Sequence, residues 1–171
     1  HPWMDEGFTE YITHLAEEGV IGNPSEFPHK SSYDRYYLLV NSGLEQAQTV
    51  HSDRYDYNFA YGATAYSKGS VFMAQLEYII GKQNMAKTIK RYFNEFKFKH
   101  PTPNDFKRVA EKVSDMELEW YLNDWTRTTN TIDYGLDISS LSDDRSISVK
   151  RKGRMPMPIE IKVSYEDGSS L

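Results

Sequence analysis

Apolar residues along the first 126 positions recur at intervals of three and four, the spacing of one helix face. Phe8, Tyr11, Ile12 and Leu15 predict a helix from Asp5 to about Glu18, with Glu6 in its first turn and Gly19 as its stop. Residues 19–32, rich in Gly, Pro, Asn and Ser, read as a loop. Tyr33–Val40 reads as a short helix, and Asn41–Thr64 as an irregular stretch leading into Tyr66-Ser67-Lys68-Gly69. Val71, Phe72, Leu76, Ile79 and Ile80 predict the strongest helix, with Tyr66 at its head and Gly81 as its C-terminal cap. Met85, Ile89, Phe93 and Phe96 predict the next. Two capping boxes, Thr102-Pro103-Asn104-Asp105 and Ser114-Asp115-Met116-Glu117, open two more helices. Their apolar faces are Phe106, Val109, Ala110 and Val113, then Leu118, Tyr121, Leu122 and Trp125.

Near Thr128-Thr129-Asn130 the period changes to two. Tyr134–Ile138, Ser146–Val149 and Ile159–Val163 alternate as half-buried strands. The expected fold is mainly α: a helical subdomain over residues 1–130, then a few β-strands over 131–171. Strands this few seldom make a stable domain alone.

Composition narrows the function classes. A 39% hydrophobic and 26% charged chain of 171 residues is globular in character, and a 14% aromatic share argues against disorder. The net charge of -5, with basic residues scattered, gives no nucleic-acid footprint. The one basic cluster, Lys150–Arg154, follows an alternating segment and reads as a solvated strand end and turn. With no Cys, any zinc must use His and carboxylate ligands, although compartment stays open because exported proteins can also lack Cys. No run has the length of a membrane helix.

The polar candidates have ordinary explanations too. A lone Glu in a first helical turn is usually favoured by the helix dipole. Glu6, Glu10 and His14 stack at intervals of four on one face, but three groups on one helix lack closure from another element. His29, His51 and His100 fall in loop-like segments and read as surface residues. No serine nucleophile elbow, phosphate loop or dinucleotide fingerprint occurs.

Taken together, Trp3-Met4-Asp5-Glu6-Gly7-Phe8 and the downstream Tyr66-Ser67-Lys68-Gly69 resemble the gluzincin metallopeptidases of the aminopeptidase N and leukotriene hydrolase type. The resemblance implies that Glu6 is the third zinc ligand, that Tyr66 hydrogen-bonds the oxyanion of the tetrahedral intermediate, and that Tyr61 lines the substrate pocket. Asp5 stands where many relatives have Asn. The family's other two ligands and its general base come from an H-E-x-x-H helix before the Glu segment, and no H-E-x-x-H occurs in these 171 residues. The expectation is therefore a fragment: the C-terminal part of a zinc aminopeptidase catalytic domain plus the beginning of a β-sandwich. Its partners would be a peptide substrate and the remainder of the catalytic domain. Alone it would be inactive and would not retain zinc. Two other readings stay open: a noncatalytic relative keeping the scaffold for peptide binding or assembly, and a stand-alone helical interaction domain.

Overall fold

The structure is a computed structural model and describes residues 1–21, 25, 27–137 and 147–171. It forms two compact units, His1–Thr129 and Asn130–Leu171. The chain is mainly α, as the periodicity predicts.

The first unit is built from α1 (Pro2–Ile21), α2 (Lys30–Ser42), α3 (Asn58–Gly62), α4 (Gly69–Ile80), α5 (Lys82–Phe96), α6 (Pro103–Ser114) and α7 (Glu119–Arg127). Pro2 opens α1, where its missing N–H would have had no helical partner. Trp3, Gly7 and Tyr11, four residues apart, form the buried edge of α1 that meets α4. Trp3 and Phe72 pack edge-to-face at 5.1 Å, and Phe72 lies 5.0 Å from Tyr121, whose hydroxyl donates to the Phe72 carbonyl at 2.6 Å. Fully burying each such ring stabilises the fold by about 2–3 kcal/mol, so this aromatic column is the spine of the unit. Gly81 ends α4 at φ 84°, ψ 149°, a conformation only glycine adopts readily, with its N–H bonded to the Glu77 carbonyl. The Thr102–Asp105 capping box is formed, with Pro103 in the first turn.

Several expectations need correction. Glu6 lies beyond the first turn of α1, where Asp5 is the acidic residue, so a dipole explanation fits Asp5 better. The irregular stretch before Tyr66 holds a short 3-10 turn at Ser52–Arg54 and then α3, which runs on through a π-helical segment, Ala63–Lys68, into α4. Tyr66 therefore sits inside a long helix and not at its head. Ser114 to Glu117 is no capping box: Ser114 closes α6, Asp115 is its left-handed cap at φ 57°, and α7 starts at Glu119. In α5 the inward face runs through Met85, Thr88 and Tyr92, whereas Phe93 is 63% exposed.

In the second unit β1 (Tyr134–Asp137) and β2 (Ser148–Arg151) pair antiparallel, Tyr134 opposite Arg151 and Leu136 opposite Val149. The Tyr134 hydroxyl bridges both backbone groups of Met157, accepting from its N–H at 2.9 Å and donating to its carbonyl at 3.0 Å. The basic cluster falls at the end of β2, with Lys150 paired to Asp137 at 2.7 Å. The strand expected at Ile159–Val163 is not formed; only Val163, at its end, exchanges backbone bonds with Leu171. Pro156 and Pro158 remove donors just before it, and Ile159 and Ile161 are exposed. Residues 138–146, including part of two expected strands, lie outside the described residues.

Candidate active site

The two sequence motifs meet where α1 crosses the start of α4. A Cβ on Gly7 would fall 2.5 Å from the Gly69 Cα, and one on Gly69 would fall 2.7 Å from the Gly7 Cα. Only two glycines allow backbones this close. Because Gly7 follows Glu6 and Gly69 lies one helical step past Tyr66, the contact brings those two side chains together. The interaction with the Glu6 side chain, which favours the neutral phenol, is the main cause holding Tyr66 above its ordinary value of 10.0, with smaller contributions from burial and from the negative charge of Glu6.

Glu6 and Tyr66 line a concavity of about 430 Å³ together with Glu10, His14, Arg35 and Ser67. The Glu6, Glu10, His14 face of α1 thus opens into this concavity as one row. Glu10 is tied down, accepting from Ser32 at 2.7 Å and from Ser67 at 3.5 Å. His14 is engaged on both ring nitrogens, Nδ1 lying 3.2 Å from His29 Nδ1 and Nε2 3.3 Å from Ser31 Oγ. His29 is no surface residue: it is 9% exposed and stacks on Tyr11 at 4.7 Å, and burial, with His14 beside it, lowers its pKa from 6.5 to about 4. His51 is exposed and accepts from the Asp53 N–H. Tyr61 is half-buried, packs edge-to-face on Tyr55 at 5.6 Å, and is close enough to Tyr66 to raise its pKa slightly.

Tyr66 stands in the π-helical segment. Such a wide turn aims side chains off the regular helical rows and is frequent at functional sites. Within it Ser67 and Lys68 are buried while Tyr66 faces outward. Lys68 points the other way, into an ion pair with Glu45 at 2.8 Å. Sequence reading noted Lys68 in its motif but gave no role to Glu45, which carries no local signal in its segment.

The donor set fits part of a zinc site. A half-buried carboxylate in a polar concavity is a suitable zinc ligand, and Glu6 is one. Among the described residues, no three His, Cys, Asp or Glu converge to hold a metal ion. The described helices also include none long and apolar enough to cross a membrane.

The helical unit that brings the Glu motif and the Tyr motif to one concavity is the part of the chain that known proteins match. Residues 1–125 match the Peptidase family M1 domain, and the chain belongs to that family. It is 30% identical over 136 residues to leucine aminopeptidase 2 of Coccidioides immitis, covering 73% of this chain and 22% of that protein. To aminopeptidase M1-B of Oryza sativa subsp. japonica it is 22% identical over 135 residues, covering 74% of this chain and 15% of the relative. To aminopeptidase N of Lactobacillus delbrueckii subsp. lactis it is 21% identical over 127 residues, covering 72% and 15%. The chain thus spans 15 to 22% of the length of these relatives. No solved structure matches it.

Proposed function

We propose that this chain carries one zinc ligand and the oxyanion donor of an aminopeptidase that hydrolyses peptide bonds, Glu6 being the ligand and Tyr66 the donor. The observation that carries the reading is the convergence of Glu6 and Tyr66 on one concavity at the Gly7–Gly69 crossing, in a chain of family M1 similar to several aminopeptidases. Zinc bound at such a site would acidify water and polarise the scissile carbonyl. Glu6 would supply one carboxylate oxygen to it, the other ligands coming from outside the described residues.

Tyr66 would then hold its proton at the phenol oxygen and donate it, as a hydrogen bond, to the carbonyl oxygen as charge develops there. A donor aimed at that oxygen lowers the barrier because it binds the transition state more strongly than the substrate. A raised phenol pKa keeps that proton in place at neutral pH. Tyr61 would form part of the pocket wall beside it. The unit from Asn130 onward we read as the beginning of a separate β domain.

The test is hydrolysis of aminoacyl anilides by the full-length protein. Activity lost on chelation and restored by zinc supports the reading. Full activity in excess chelator refutes it.

A further inference from the structure

Lys68 is a buried cation that the proposed chemistry does not use. Its side chain is 0% exposed, and its partner Glu45 is 7% exposed. Burying such a pair gains little stability over an apolar pair of the same shape, so its use is better sought in geometry. Tyr66 lies between two points at which the π-helical segment is gripped by one strap of chain, residues 44–50. On the C-terminal side Glu45 holds the Lys68 ammonium at 2.8 Å. On the N-terminal side Gln48 donates to the Thr64 carbonyl at 3.4 Å. The strap is itself fixed: Gln46 accepts from the Asp56 N–H at 3.1 Å, and the Thr49 N–H donates to the Thr126 carbonyl at 3.0 Å.

A π-helical segment strains the regular ladder, and it persists only where its surroundings hold it. We infer that Glu45, through its ion pair with Lys68, is a positioning residue that locks the π-helical segment and so fixes where the Tyr66 side chain stands in the concavity it shares with Glu6. The catalytic meaning of that placement rests on the proposed role of Tyr66. The placement itself can be tested without it.

The measurement is the 13C shift of the Tyr66 ring at fixed neutral pH in the chain labelled with 13C-tyrosine, its resonance identified by its loss in Tyr66→Phe. Two variants are compared with the unaltered chain, each checked for helicity by circular dichroism. The combined Glu45→Gln, Lys68→Met variant removes both charges, so neither is left buried alone. Glu45→Asp keeps both charges and shortens the reach by one methylene.

A lock predicts that the Tyr66 ring resonance moves away from its position in the unaltered chain in the folded double variant, and part of that way in Glu45→Asp. In the full-length enzyme Glu45→Asp should lower kcat about tenfold or more with KM little changed, the signature of a misplaced group. A folded Glu45→Asp chain whose Tyr66 ring resonance is unmoved overturns the inference, whatever the double variant does. If Tyr66→Phe leaves hydrolysis intact, the oxyanion role fails while the ring resonance still judges the lock.

Discussion

Gly7 and Gly69 touch backbone to backbone, with the Gly7 Cβ position only 2.5 Å from the Gly69 Cα. The obstacle to a side chain here is backbone, which no rotamer change can relieve. Gly7→Ala should therefore force α1 and α4 apart and destabilise the unit by about 1–3 kcal/mol. Thermal unfolding by circular dichroism checks this. A matching Gly19→Ala control, where a Cβ meets nothing within 4 Å, should not lower the midpoint.

The nearness of Glu6 to Tyr66 makes a prediction about pH. Because the folded pKa of Tyr66 is raised, chiefly by the Glu6 carboxylate, its contribution to stability is present in full below the ordinary value of 10.0. It is lost as pH rises through the folded value. Glu6→Gln removes the charged acceptor and should bring the Tyr66 titration down toward 10.0, read by the ring 13C shift.

His29 gives the opposite dependence. Its folded pKa is depressed from 6.5 to about 4, so stability is complete above 6.5 and is lost as pH falls from there through about 4. Replacing it by Phe, which keeps the stack on Tyr11, should flatten that acid loss in urea unfolding followed from pH 7 to pH 4. An equally steep decline in the variant would assign it to other groups.

Phe93 and Phe106 separate apparent from real core. Phe106 is 1% exposed and lies 4.6 Å from Phe8 and 5.2 Å from Tyr92, while Phe93 is 63% exposed. Phe106→Ala should cost about 3–5 kcal/mol. Phe93→Ser should stay within about 0.5 kcal/mol of the unaltered chain. Denaturant midpoints at constant slope distinguish them.

These cases show which features could be read in the sequence. Helices with a clean apolar stripe and a chemical stop, such as α4 with Gly81 and α6 with Thr102 and Asp105, were legible because their signals are local. Phe93 misled because periodicity cannot tell one edge of a stripe from the next: Tyr92 and Thr88 take the inner face where α5 packs on α6. Ser114–Glu117 has the letters of a capping box, but Asp115 turns left-handed to end α6 first. Ile159–Val163 alternates as a strand should, yet a strand also needs a partner edge.

The candidate site divides the same way. Glu6, Tyr66 and Lys68 stood in short motifs. What joins them did not: the Gly7–Gly69 contact and the Glu45–Lys68 ion pair link residues far apart in the chain. Helical spacing alone placed Tyr66 at a helix start, because a π-helical turn leaves no mark in the apolar period.

The central claim, that Glu6 and Tyr66 serve one reacting centre, is tested most directly by kcat/KM for aminoacyl-anilide hydrolysis in the full-length protein, in its Tyr66→Phe variant and in its Glu6→Gln variant. The account predicts a fall of about 100- to 1000-fold for Tyr66→Phe, carried by kcat, with bound zinc retained. It predicts loss of both activity and zinc for Glu6→Gln. A Tyr66→Phe enzyme within a few-fold of the unaltered one, or a Glu6→Gln enzyme that keeps its zinc and its rate, would contradict it.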